Sequence, residues 1–91
     1  MKIKHPAVCG TLESADIMIH LTQSKNGNKI SLDSIVQTQF GEAIEALIHQ
    51  ILDEMHIEDV QVDAHDRGAL DCTIRARMET AIIRALTEVT S

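Results

Sequence analysis

The chain has 91 residues, 44% hydrophobic and 24% charged, a balance that specifies one soluble globular domain over residues 1–91 and excludes a disordered or fibrous chain. A domain this small buries only about 60% of its unfolded surface, so its core is thin and has no room for a deep private active site. Eight Lys plus Arg against fourteen Asp plus Glu give a net charge of −6, and Phe40 is the only aromatic residue, which excludes partners that need a basic surface or stacking rings: nucleic acid and anionic membranes.

Pro6 favours an extended start, and the short apolar run Ala7 to Leu12, interrupted by Gly10, reads as an edge strand or an arm. Ile17, Ile19 and Leu21 then alternate with Met18, His20 and Thr22 at the period of a strand. Lys25-Asn26-Gly27-Asn28 follows, and Asn-Gly accepts the positive φ values of a two-residue hairpin turn. That turn predicts a register in which Leu21 faces Leu32, Ile19 faces Ser34 and Ile17 faces Val36, with the apolar faces in agreement and Ser34 pointing inward.

From about Thr38 the period changes. Phe40, Ile44, Leu47, Ile48, Ile51, Leu52 and Met55 recur at three and four, the stripe of a buried helix face. Thr38 is the candidate cap, and His56 falls in the last turn. Val60, Val62 and Ala64 alternate again, Asp66-Arg67-Gly68 signals a turn, and Leu70, Cys72, Ile74, Ala76 and Met78 hold a period of two. Ile82, Ile83, Leu86 and Val89 read as a short closing helix. The expected fold is therefore α+β, a two-layer sandwich with a mainly antiparallel sheet and two helices in the order ββαββα.

The N-terminus lacks an apolar signal core, and no stretch approaches the ~20 apolar residues of a membrane span. Cys9 and Cys72 are isolated and form no Cys-x-x-Cys pair. A reducing cytoplasm with both thiols free is the expected location.

The chemistry-bearing residues are sparse. His49, Asp53 and His56 share one helix face, but that face lies opposite the apolar stripe and reads as solvated, so no metal site is expected. His5, His20 and His65 pair with no Ser or Cys in a nucleophile motif, so no catalytic residue is assigned. Arg75 and Arg77, on one side of their expected strand, are either a phosphate clamp or partners for the acids before Arg67; ion pairing is the favoured reading. Between Lys29 and Arg67 there is no Lys or Arg, and Glu42, Glu45, Asp53 and Glu54 form an acidic face suited to steering a basic protein partner.

Two serines are candidate attachment points. Ser14 stands in Gly10-Thr11-Leu12-Glu13-Ser14-Ala15-Asp16, ahead of the first clear strand, where a hydroxyl is exposed; there Glu13 and Asp16 either present it to a modifying enzyme or keep the loop solvated. Ser34, in Asp33-Ser34-Ile35 before an acidic helix, is similar to the attachment site of helical acyl carrier proteins, but the hairpin register buries it.

The Gly10–Asp16 segment, together with Ser34-Ile35-Val36, Gln39-Phe40-Gly41, Gly68-Ala69-Leu70-Asp71-Cys72 and Arg75-Ala76-Arg77, closely resembles the acyl carrier protein (γ subunit) of citrate lyase. Many members of that family have a second serine where this chain has Ala15, which leaves Ser14 as the only serine of the motif. The resemblance implies a non-catalytic carrier. Ser14 would bear a covalent 2'-(5''-phosphoribosyl)-3'-dephospho-CoA arm, installed by a prosthetic-group transferase, whose thiol holds acetyl or citryl. It implies a multi-subunit complex in which an α subunit exchanges acetyl for citryl and a β subunit splits citryl-carrier to oxaloacetate and acetyl-carrier. The remaining alternatives are a phosphopantetheine carrier modified at Ser34 and an unmodified α+β interaction module.

Overall fold

In the computed structural model, which describes residues 1–34 and 37–87 (only the backbone over 37–40), four strands and two helices follow in the order βββαβα. The strands are β1 (Ala7–Cys9), β2 (Ile17–Gln23), β3 (Lys29–Ser34) and β4 (Val60–Asp66); the helices are α1 (Gln37–Glu54) and α2 (Asp71–Leu86). The strand order is β1-β2-β4-β3. The pairs β1–β2 and β2–β4 are antiparallel, and β3–β4 is parallel. The class is the expected α+β with a mainly antiparallel sheet, while the element order ββαββα is corrected to βββαβα.

The alternation in β2 does what a strand period should. Ile17, Ile19 and Leu21 are fully buried on one face, and Val60, Val62 and Ala64 of β4 continue that face beside them. Ile44, Ile48, Ile51 and Leu52 of α1 and Ile74, Met78, Ala81, Ile82 and Ala85 of α2 close over it. Helix α2 packs on β1 and β2, α1 on β3, and the helices on each other. Each fully buried Ile or Leu contributes roughly 1.5–3 kcal/mol, and nearly all of it is spent on this one layer. Ile3 and Cys9 extend the core from the N-terminal segment, which Lys4 and His5 tie to the end of α2 through N–H bonds to the Ala85 carbonyl (2.9 and 3.3 Å).

Two expectations are overturned. Asn26-Gly27 does turn the chain, with Gly27 at φ 84°, but it does not join paired strands. β4 lies between β2 and β3, so Leu21 pairs with Val62 and Leu32 with Ala64. The loop is bonded to the chain entering β4. The Gly27 N–H donates to Asp59 Oδ1 (2.9 Å), the Asn28 side chain donates to the Ile57 carbonyl (2.9 Å), and its Oδ1 accepts from the Val60 N–H (3.1 Å). Crossing one intervening strand takes about 10 Å, which the five residues of this connection span easily. β4, buried at every second position from Val60 to Asp66, profits most from a partner on both edges.

The second correction concerns Leu70 to Met78, which is not a strand: Leu70 is the N-cap of α2, and Asp71 to Met78 form its first half. Ile74 and Met78 satisfy both a two-residue and a four-residue period. Only the helix also buries Ala81, Ile82 and Ala85 while leaving Cys72 and Ala76 exposed. Arg, Ala, Met and Glu between them are good helix formers, and no β-branched residue follows Ile74 until Thr80. The separate closing helix merges into α2, and Ile83 is exposed rather than buried. Helix α1 ends at Glu54, so His56 lies beyond its last turn, at φ 56°, with its N–H on the Asp53 carbonyl (3.1 Å). The Ile17–Val36 pair, the side-chain roles of Thr38 and Phe40, and the contact of Val89 lie outside the described residues.

Candidate functional site

Ser14 sits on the loop from β1 to β2, and the loop is not slack. The Asp16 N–H bonds back to the Glu13 carbonyl (3.2 Å), closing a four-residue turn with Ser14 and Ala15 at its centre. Ala15 holds φ 63°, the positive value that such turns place at their third residue and usually give to Gly or Asn. For alanine this conformation costs roughly 1–2 kcal/mol, so the surroundings must impose it.

They do so from two sides. The chain leaving β4 bonds the turn's backbone: the Ala15 N–H donates to the Arg67 carbonyl (2.8 Å), and the Arg67 N–H donates to the Asp16 carbonyl (2.9 Å). Below the turn lies the carboxylate of Asp16, a residue only 9% exposed. It accepts from the Thr11 hydroxyl (2.7 Å) and the Ile17 N–H (2.7 Å). From α2, Arg77 forks onto it with Nε on Oδ1 (3.0 Å) and Nη2 on Oδ2 (3.1 Å). The Thr11 hydroxyl also accepts from the Glu13 N–H (3.2 Å). Hydrogen bonds from Arg77 first, then Thr11, hold the Asp16 carboxyl at a pKa of about 2, below its ordinary 3.8. At the other end of the loop, Gly10 turns the chain out of β1 at φ 97°, passing against the Ile17 carbonyl.

Ser14 is exposed at the crest of this turn, and among the described residues none hydrogen-bonds its hydroxyl. Among the described residues no base is hydrogen-bonded to it. A nucleophilic serine needs such a base. Glu13 is exposed, whereas Asp16 is buried and does not solvate the loop; it is the loop's buried anchor.

The other candidates fall elsewhere. Ser34 lies opposite Asp66 in the parallel register, not against Ile19. It is half-buried, and its hydroxyl donates to Asp66 Oδ2 (2.8 Å). Asp66 is fully buried and caps the turn into α2 by accepting the Ala69 N–H on Oδ1 (2.9 Å). Ser34 thus satisfies a buried carboxylate. Arg75 and Arg77, separated by the helical twist, do not act together: Arg75 reaches Glu54 (2.7 Å) and Glu79 (3.6 Å), Arg77 reaches Asp16. Ion pairing with acids before Arg67, the favoured reading, is what the geometry contains. His20 and His65 meet edge to face at 6.5 Å on the sheet face away from the helices, with His65 Nδ1 3.3 Å from Asp33. His5 bonds the Pro6 and Thr87 carbonyls.

Among the described residues no group of three or more His, Cys, Asp or Glu is arranged to hold a metal, and no helix is long and apolar enough to cross a membrane. Cys9 is buried and Cys72 exposed, both as free thiols. On α1, Glu42, Asp53 and Glu54 are exposed and Glu45 is half-buried. What sequence reasoning missed is the Asp16–Arg77 fork; its only sequence signal is two charged residues of opposite sign in the two most distinctive motifs.

Comparison with known proteins converges on carriers. The acyl carrier family model described as malonate decarboxylase delta subunit (MdcD) matches residues 4–85. The chain is 53% identical over 85 residues to the citrate lyase acyl carrier protein of Lacticaseibacillus casei, covering 93% of this chain and 84% of that protein. It is 50% identical over 90 residues to the protein of the same name from Lactiplantibacillus plantarum (99% and 94% covered), and 46% identical over 86 residues to that of Vibrio cholerae (93% and 88% covered). Among solved structures, a chain of a Pseudomonas malonate decarboxylase hetero-tetramer crystallised with malonate superposes with a TM-score of 0.76 at 20% identity, covering 90% of this chain and 84% of that one. At that identity the likeness establishes a shared fold.

Proposed function

The chain belongs to the family of citrate lyase acyl carrier proteins and malonate decarboxylase delta subunits, and from that membership we propose that it carries the acyl group of a citrate lyase on a covalent arm esterified to Ser14. It is a non-catalytic carrier, a subunit of a larger assembly. The observation that carries the assignment to Ser14 is its hydroxyl: exposed, unpartnered among the described residues, and held at the crest of a turn braced by buried bonds.

The residues fit a 2'-(5''-phosphoribosyl)-3'-dephospho-CoA arm joined by a phosphodiester. Such a link needs one accessible hydroxyl and no pocket. The arm supplies a thiol that holds acetyl or citryl as a thioester. The protein's part is to fix the root of the arm and to dock. Tethering keeps a reacting group at roughly millimolar effective concentration beside a partner's site, so one carrier can serve an α subunit that exchanges acetyl for citryl and a β subunit that releases oxaloacetate. The acidic outer face of α1 gives basic partner surfaces something to steer by. Ser34 is less suited to the same role, because modifying its hydroxyl would break the bond to buried Asp66.

Intact-mass measurement of the protein purified with its native complex tests the proposal. A nucleotide-sized adduct that disappears in Ser14→Ala and persists in Ser34→Ala is the expected result. An adduct that follows Ser34, or a bare chain in an active complex, overturns it.

A further inference from the structure

We propose that Arg77 is a positioning residue for arm attachment: through its fork on Asp16 it holds the Glu13–Asp16 turn in the shape that displays the Ser14 hydroxyl to the transferase. The inference rests on the reading of Ser14 as the attachment point.

Three observations lead to it. First, the turn adopts a backbone conformation that its own residues do not favour, since Ala15 is left-handed at φ 63°. A strained residue persists only where its neighbours over-determine it, and such strain collects at functional sites. Second, the strongest of these constraints comes from far along the chain. Asp16 and Arg77 are 61 residues apart, and Arg77 stands on α2 one residue from fully buried Met78. The turn is therefore referenced to the rigid body of the domain rather than to its own flanks. A two-pronged, charge-assisted fork fixes angle as well as distance. Third, Arg77 differs from the arginine two positions earlier. Arg75 makes exposed ion pairs with Glu54 and Glu79, whereas Arg77 reaches a carboxylate that also anchors Thr11 and the Ile17 N–H.

In the attachment step the Ser14 oxygen bonds to a phosphorus of an activated nucleotide donor. The donor's phosphoanhydride P–O bond breaks, its leaving phosphate departs, and the hydroxyl proton passes to a base of the transferase. Among the described residues no base is hydrogen-bonded to Ser14, so the rate depends on how the hydroxyl is offered. A misplacement of about 1 Å costs on the order of 100-fold in such a reaction. Arg77 touches neither the donor nor the reacting oxygen; it acts through Asp16.

The test is the initial rate of arm attachment to the full chain by the purified transferase and its nucleotide donor, read by intact mass, with folding checked by thermal melting. Arg77→Gln is expected to lower kcat/KM by about tenfold or more at a temperature where the variant is fully folded, and to speed hydrogen exchange at the Ala15 and Ile17 amides. Arg77→Lys, which keeps the charge but not both prongs, is expected to recover part of the rate, and Arg75→Gln to match the unaltered chain. If Arg77→Gln does not fold, Arg77→Lys carries the test by its slower attachment at an unchanged melting temperature. Attachment to the folded arginine variants at the unaltered rate, or a loss that only tracks the unfolded fraction, overturns the inference and leaves the Ser14 reading intact. Failure of the unaltered chain to accept an arm at Ser14 from a transferase active on another carrier of the family overturns both.

Discussion

Gly10 runs so close to Ile17 that a Cβ on it would lie 1.8 Å from the Ile17 carbonyl oxygen. No side-chain rearrangement relieves that overlap, because the obstacle is backbone at the start of the central antiparallel pair. The contact fixes where the chain leaves β1 and so where the Ser14 loop begins.

Gly10→Ala therefore combines overpacking, about 1–3 kcal/mol, with the strain of a side chain at φ 97°, about 1–2 kcal/mol. Gly27→Ala is the matched control, since Gly27 has a similar φ of 84° with nothing within 4 Å of the added Cβ. Urea denaturation is expected to show Gly10→Ala losing about 3 kcal/mol or more and Gly27→Ala about 1 kcal/mol. Equal losses would mean that the approach of Gly10 to Ile17 carries no weight.

The Asp16 carboxyl ties stability to pH. Its folded pKa is about 2 against an ordinary 3.8, so the unfolded chain takes up the proton first as pH falls. Stability from this group is complete well above pH 3.8 and is lost as pH drops through about 2. At 1.36 kcal/mol per pH unit it amounts to about 2 kcal/mol. The stability gap between the unaltered chain and Asp16→Asn should shrink by roughly that amount between pH 6 and pH 2. Asp33, Glu54 and Asp59 are also held below their ordinary range by cationic or hydrogen-bonding neighbours, but they titrate alike in both proteins and cancel in the difference. A gap that stays constant with pH would show that the fork does not stabilise the ionised carboxylate.

Ser34→Ala removes a hydroxyl bonded to a fully buried carboxylate, Asp66. The cost of leaving that acceptor short is about 1–3 kcal/mol, which for a domain of this size lowers the melting temperature by roughly 4–8 °C per kcal/mol. Arm attachment at Ser14 should continue in the folded fraction. Calorimetry showing no change would mean that Ser34 does not support Asp66.

The sequence was most legible where a single period ran without competition. The alternation of Ile17, Ile19 and Leu21 located β2, and the spacing of Ile44, Ile48, Ile51 and Leu52 located α1 with its buried face. It misled where two periods shared residues: Ile74 and Met78 serve a strand or a helix equally, and the deciding evidence was the small residues Ala81 and Ala85 further on. Asn26-Gly27 announced a change of direction but could not say which strand would lie alongside, because pairing depends on β4, which begins only at Val60. The Ser14 motif was visible as a string. The fork beneath it was not, since Arg77 faces Asp16 only when α2 is a helix.

The position of β4 gives the last prediction. Asn28 is the hinge between the loop that a hairpin would have used and the strand that displaced it, bonding the Ile57 carbonyl (2.9 Å) and the Val60 N–H (3.1 Å). In a β2–β3 hairpin neither bond would exist, and Asn28→Ala would be almost silent at a half-buried site. In the observed sheet it deprives two backbone groups beside β4 of their partners, at about 1 kcal/mol each. A loss of about 2 kcal/mol in urea denaturation, with exchange at the Val60 amide accelerated by more than the global loss that buried Ile48 reports, is the expected outcome. If stability and the Val60 amide both stay as they were, the loop does not hold β4 in place, and the close of the sheet around it must rest on the Val60–Asp66 packing alone.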